Sequence, residues 1–97
     1  MVYSLSKNKI SIPIIGLGTR GKTTPAIICK AIEVGYRHID TAINHGNEKE
    51  IGQGIKEAKI KRNEIFLTTK IDPRFTKNED IHKIFDRSLN KLNMDYV

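Results

Sequence analysis

Gly35-Tyr36-Arg37-His38-Ile39-Asp40-Thr41-Ala42-Ile43-Asn44-His45-Gly46-Asn47-Glu48 is the stretch whose reading decides the fold of this chain. It predicts a short strand over 37–41 that delivers the carboxylate of Asp40 to its C-terminal end. A loop holding His45 follows, and then a helix that starts near Asn47. Further on, Ile65-Phe66-Leu67-Thr68-Thr69-Lys70 does the same with an ammonium, Lys70. A carboxylate and a lysine at equivalent ends of successive strands suit a site that tunes a proton donor. The alternative to that reading is a structural salt bridge inside a barrel-like core.

Working outward, residues 1–13 read as a hairpin, with Ser6, Lys7, Asn8 and Lys9 at the turn. An apolar strand over 14–17 leads into a glycine-rich turn through Gly21. Thr23 or Thr24 then caps a helix that has Pro25 in its first turn, where a missing N–H costs little. Ile27, Ile28, Ala31 and Ile32 recur at helical spacing, and Gly35 sits where a helix ends. Asn47 and Glu50 resemble a capping box for a second helix with Ile51, Ile55 and Ala58 on one face. Gly52 and Gly54 should weaken that helix by about 1 kcal/mol each relative to Ala, so a neighbour must pack closely there.

The next strand is expected over 64–69. Thr76 and Glu79 suggest a cap for a third helix, on which Ile81, Ile84, Phe85, Ser88, Leu89 and Leu92 form one face. Asp95-Tyr96-Val97 reads as the opening of another strand. Alternating strands and helices imply a parallel sheet with right-handed crossovers. In such sheets ligands meet the C-terminal strand ends, the rim that Asp40 and Lys70 share.

Ninety-seven residues make one domain at most. Hydrophobic residues at 38% and charged residues at 29% exclude a disordered chain. No apolar run approaches the roughly 20 residues of a membrane span, and the N-terminus lacks a signal-peptide core. A single unpartnered cysteine, Cys29, on an apolar helix face fits a reduced, cytoplasmic setting. The net charge of +6 is densest at Lys56, Lys59, Lys61 and Arg62. That patch could meet phosphates, or it could be a solvated helix end near the negative pole of the helix dipole. No aromatic residues interleave with it, so no nucleic-acid groove is expected.

Two further motifs compete for a function. Gly16 to Thr23 satisfies the pattern of a phosphate-binding loop, in which Lys22 would reach the terminal phosphates and Thr23 would hold Mg²⁺. Against it, Arg37-His38-Ile39 before Asp40 is polar for a buried metal-binding strand, and Pro25 removes an amide where such a helix needs one. A glycine-permitted tight turn is the plainer reading. His38, Asp40 and His45 do not supply three or four converging ligands, so no metal site is expected. His82 falls on the polar face of the third helix.

The segments 15–19 (IGLGT), 31–55, 62–70 (RNEIFLTTK) and 88–97 come in the order and at the spacings of the aldo-keto reductase superfamily, which the chain resembles along essentially its whole length. The resemblance implies a (β/α)₈ TIM barrel whose bottom is plugged by the hairpin of residues 1–13. Residues 14–97 would then be βα units 1–3 and the start of strand 4, an incomplete barrel. Family members transfer a hydride from NADPH to a carbonyl carbon while a tyrosine gives a proton to the carbonyl oxygen. A lysine and an aspartate tune that tyrosine, and a histidine orients the substrate. Here Asp40 and Lys70 match the aspartate and the lysine. Gly18 and Thr19, with Asp40, match the rim near the nicotinamide.

The tyrosine's place is held by His45, and the bulky aromatic that often follows GLGT is Arg20. The family histidine is expected a few residues beyond Val97. The function implied is NADPH-dependent carbonyl or aldehyde reduction, with a small carbonyl or alcohol substrate. The 97-residue chain alone is expected to be inactive, to bind NADPH poorly and to self-associate through its open sheet edge. The alternatives are a non-catalytic remnant acting through interactions and a phosphate- or nucleotide-binding module built on Gly16–Thr23. No pocket-lining segment in these residues selects a substrate.

Overall fold

A computed structural model of the chain describes residues 10–75 and 79–97. Three parallel strands form one sheet in the order β1 (Gly16–Gly18), β2 (His38–Asp40), β3 (Phe66–Thr68). Each strand is followed by a helix: α1 (Pro25–Glu33), α2 (Glu48–Glu57) and α3 (Ile81–Leu92). The register aligns Gly16, His38 and Phe66, then Leu17, Ile39 and Leu67, then Gly18, Asp40 and Thr68. Because side chains alternate across a strand, the middle row faces the helices and the outer two rows face away. Ile39 and Leu67 are buried among Ile28, Ile32, Ile51, Ile55, Ile65 and Leu92, with Leu17 packed against them. Each of those side chains gains about 1.5–3 kcal/mol by leaving water. The opposite face, with Asp40 in its upper row, is the one that can carry a site.

Helix α1 begins as the sequence suggests, with Thr24 as N-cap accepting from the Ile27 amide and Pro25 at the first helical position. Gly35, at φ +118°, makes the left-handed turn after the helix. The two glycines of α2 are sites of close approach. A Cβ on Gly52 would overlap the Leu92 carbonyl, and one on Gly54 would lie 2.5 Å from the Ile28 Cβ and 2.7 Å from the Pro25 carbonyl oxygen. Glycine at these positions lets α1 and α3 close onto α2.

Several boundaries differ from the sequence expectation. The strands are three residues each, with single backbone bonds from Thr19, to Arg37 and from Thr41 extending the pairing beyond them. Arg62–Glu64, at the start of the third expected strand, is a 3₁₀ turn. No strand forms over 95–97. There the Tyr96 carbonyl accepts from Arg62 Nη2 at 2.7 Å and the guanidinium lies 3.9 Å over the Tyr96 ring, so the segment is held by a side chain. Asp80 caps α3 by accepting from the His82 amide at 2.9 Å. Thr76, assigned that role from the sequence, lies outside the described residues, as does most of the hairpin over 1–13. Asn47 is the N-cap residue of α2 but makes no side-chain cap bond, for its Oδ1 accepts from the Thr41 hydroxyl instead. Cys29 is half-buried rather than in the core.

Candidate active site

Asp40 ends β2, and its backbone carbonyl is held by Thr19, whose amide donates at 3.2 Å and whose hydroxyl donates at 2.9 Å. Thr19 is buried, so its side chain braces the ends of β1 and β2. Beyond Asp40, the Thr41 amide donates to the Thr68 carbonyl at 2.8 Å, which carries the parallel pairing up to the rim. There the Lys70 ammonium donates to Asp40 Oδ1 and, at 3.2 Å, to the Thr41 carbonyl. The pair is open to water, with the lysine side chain 54% and the aspartate side chain 39% exposed.

The loop that follows is tied to the same corner. The Ile43 amide donates to the Lys70 carbonyl at 3.1 Å, starting the 3₁₀ turn Ile43–His45. Gly46, at φ +69°, reverses the chain where a side chain would be strained. His45 is half-buried, and its Nδ1 is buried with no hydrogen-bond partner among the described residues. The structure thus joins Asp40 directly to Lys70 and to Thr19, and it sets His45 on the adjoining turn.

Gly18 lies level with Asp40 on β1, and a Cβ there would meet nothing within 4 Å. Gly18, Asp40, Gly16, His38 and Ile12–Ile14 line a cavity of about 380 Å³ on the face away from the helices. The His38 ring fills the space above Gly16, stacks edge-on with Phe66 at 4.9 Å and shares a 2.9 Å hydrogen bond with the Thr68 hydroxyl.

Several groups of the glycine-rich turn that a phosphate loop would use are engaged within the chain. The Thr23 hydroxyl donates to the Thr19 carbonyl at 2.9 Å, the Thr24 side chain covers an amide of the first helical turn, and Pro25 offers none. The Thr19 and Thr23 amides, donors that such a loop would turn to phosphate, are likewise spent on the Asp40 and Gly21 carbonyls.

Sequence reasoning missed the buried polar side chains under the rim. Asn47 donates from Nδ2 to the Thr19 carbonyl at 2.5 Å and accepts from the Thr41 hydroxyl at 3.1 Å. Glu48 Oε2 accepts from Thr69 Oγ1 at 2.8 Å and from Ser88 Oγ. The available signal was Ser88, a polar residue on the core-facing side of α3. Past Lys70, Arg74 donates to both carboxylate oxygens of Asp72, holding that carboxyl below the usual carboxylate range; the guanidinium is raised in return.

The model of the aldo/keto reductase family matches residues 10–97. Glycerol 2-dehydrogenase (NADP(+)) of Saccharomyces cerevisiae is 44% identical over 89 residues, covering 89% of this chain and 28% of that protein. An aldo/keto reductase from Brucella melitensis is 38% identical with a TM-score of 0.91, matched over all of this chain and 38% of its own. A Bombyx mori aldo-keto reductase, solved in complex with NADP, is 35% identical with a TM-score of 0.82, over 94% of this chain and 34% of its own. The chain spans about a third of the length of the curated relatives it matches, from 28 to 33% in the first four. Its three βα units are those of an incomplete TIM barrel, and the chain belongs to the aldo/keto reductase family.

Proposed function

We propose that this chain carries the acid–base corner of an NADPH-dependent reductase acting on small carbonyl compounds, with Asp40 and Lys70 as its charged pair. The observation that carries the reading is the Lys70–Asp40 ion pair at the C-terminal ends of neighbouring parallel strands, beside the turn that holds His45. In parallel βα folds this rim is where chemistry occurs. A bound nicotinamide would supply the hydride. Gly18 and Asp40 would line its place, since they border the open cavity and Gly18 presents no side chain to it.

The chain's own groups would manage the proton. Lys70, fixed by the Asp40 carboxylate and the Thr41 carbonyl, would hold positive charge beside the donor and stabilise the alkoxide that forms on the substrate oxygen. His45, half-buried on its turn, would be that donor, passing a ring proton to the oxygen. The similarity to the yeast glycerol 2-dehydrogenase and to a D/L-glyceraldehyde reductase of Hypocrea jecorina supports the substrate class.

The test joins residues 1–97 to the remaining βα units of a relative and follows NADPH consumption with short aldehydes. Turnover that falls at least a hundredfold in Lys70→Met supports the reading, and turnover indifferent to Lys70 and Asp40 overturns it. The 97 residues alone are expected to show none.

A further inference from the structure

Two consecutive residues at the start of α2 reach every strand end in the sheet. Asn47 bonds the end of β1 through the Thr19 carbonyl and the residue after β2 through the Thr41 hydroxyl. Glu48 bonds the residue after β3 through the Thr69 hydroxyl and reaches α3 through Ser88. We propose that Glu48 is a positioning residue for Lys70: it fixes the exit of β3 through Thr69, and so sets where the lysine ammonium meets Asp40. The inference rests on the functional reading given to that pair.

The chemistry of Glu48 argues for a specific task. It is 2% exposed, and Ser88 is 1% exposed. No cation pairs with it among the described residues, and its Oε1 has no hydrogen-bond partner there. A carboxylate buried on neutral hydroxyls alone is expensive to desolvate, and the N-terminal end of α2 offsets only part of that. A leucine or methionine would fill the same volume without the cost. What the carboxylate adds is one oxygen that accepts two hydroxyls from different elements. One of those hydroxyls belongs to Thr69, bonded in sequence to Lys70. The Lys70 carbonyl is meanwhile fixed from the other side by the Ile43 amide at 3.1 Å.

A glutamine can reproduce this arrangement. Its single oxygen can accept both hydroxyls, and its amide can occupy the place where Oε1 now stands without a partner. An alanine can do neither. The geometry therefore separates position from charge.

The experiment observes the ¹H–¹⁵N signal of the Lys70 ammonium in the 97-residue chain. Near neutral pH, exchange with water erases that signal from a free lysine and hydrogen bonding preserves it, and circular dichroism follows the fold in parallel. Glu48→Ala and the near-isosteric Thr69→Val should each lose the signal in a folded chain. Glu48→Gln should retain it, and Ile32→Val, which trims the buried face of α1, should leave it unchanged. A folded Thr69→Val or Glu48→Ala chain with the parent's signal overturns the proposal, as does its loss in Glu48→Gln. Should Glu48→Ala fail to fold, Thr69→Val alone decides. Absence of the signal from the parent chain would instead remove the ion pair on which the functional reading stands.

Discussion

The side-chain amide of Asn47 donates to the backbone carbonyl of Thr19 at 2.5 Å, binding the first turn of α2 to the end of β1. The two residues are 28 apart in sequence, and both are buried. Asn47→Ala would leave the fully buried Thr41 hydroxyl without its acceptor and remove one donor from the Thr19 carbonyl. Stranding buried polar groups costs about 1–3 kcal/mol each, so a loss of about 2–3 kcal/mol is expected. Urea unfolding of parent and variant measures it. A difference under about 0.5 kcal/mol, the range of ordinary surface substitutions, would show that the bond is not a brace.

Gly52→Ala should destabilise the chain although alanine is the better helix former by about 1 kcal/mol. Its Cβ would overlap the Leu92 carbonyl, and backbone cannot swing aside as a side chain can. Overpacking of this kind costs about 1–3 kcal/mol, which exceeds the propensity gain. A variant more stable than the parent in thermal unfolding would mean that α2 and α3 are further apart than described.

Cys29 should alkylate slowly at neutral pH. Partial burial, then the carboxylates of Glu33 and Glu57, push its thiol above the ordinary range, with Sγ directed at Glu33 Oε1 at 3.9 Å. A thiol raised in the folded state favours folding below its unfolded pKa, and that contribution fades as pH rises. Iodoacetamide rates measured from pH 7 to 10 should climb later than those of a free thiol, and Glu33→Gln should bring the climb earlier. A Glu33→Gln profile superimposable on the parent's would refute the carboxylate contribution.

Asp72 titrates in the opposite sense. The Arg74 hydrogen bonds lower its carboxyl, so the pair helps the fold above the unfolded pKa of about 3.9, and that help disappears as pH falls further. Carboxyl NMR titration should place its midpoint below the ordinary carboxylate value, and Arg74→Ala should raise it. Equal midpoints in the two proteins would contradict the pairing.

In the joined barrel, His45→Tyr should extend activity toward alkaline pH. A phenol ordinarily holds its proton about 3.5 units higher than an imidazole. The variant's pH–rate profile should reach further to the alkaline side than the parent's. Identical profiles would mean that His45 is not the donor.

The three βα units were legible because short apolar runs and helical periodicity are local patterns, while the core row of Leu17, Ile39 and Leu67 emerges only once the strands are in register. The rim position of Asp40 and Lys70 followed from the βα alternation, and their pairing is what the parallel register produces. The tasks of Asn47 and Glu48 were not legible. A capping box is a local pattern, whereas their partners, Thr19, Thr41, Thr69 and Ser88, are 6 to 40 residues away. The expected strand at Tyr96 failed for a related reason: a strand needs a backbone partner, and Arg62 engages that carbonyl with its side chain.

The openness of the Asp40–Lys70 pair makes it two devices in one. In contact with bulk water, unit charges about 4 Å apart attract by only about 1 kcal/mol, whereas at an effective dielectric constant of about 20 they attract by about 4 kcal/mol. With half of its lysine side chain solvated, this pair stands near the first limit. Covering the face away from the helices, whether by further barrel units, cofactor or substrate, would move the same atoms toward the second without shifting either one. The electrostatic strength of this corner is therefore governed by the medium that closes over it.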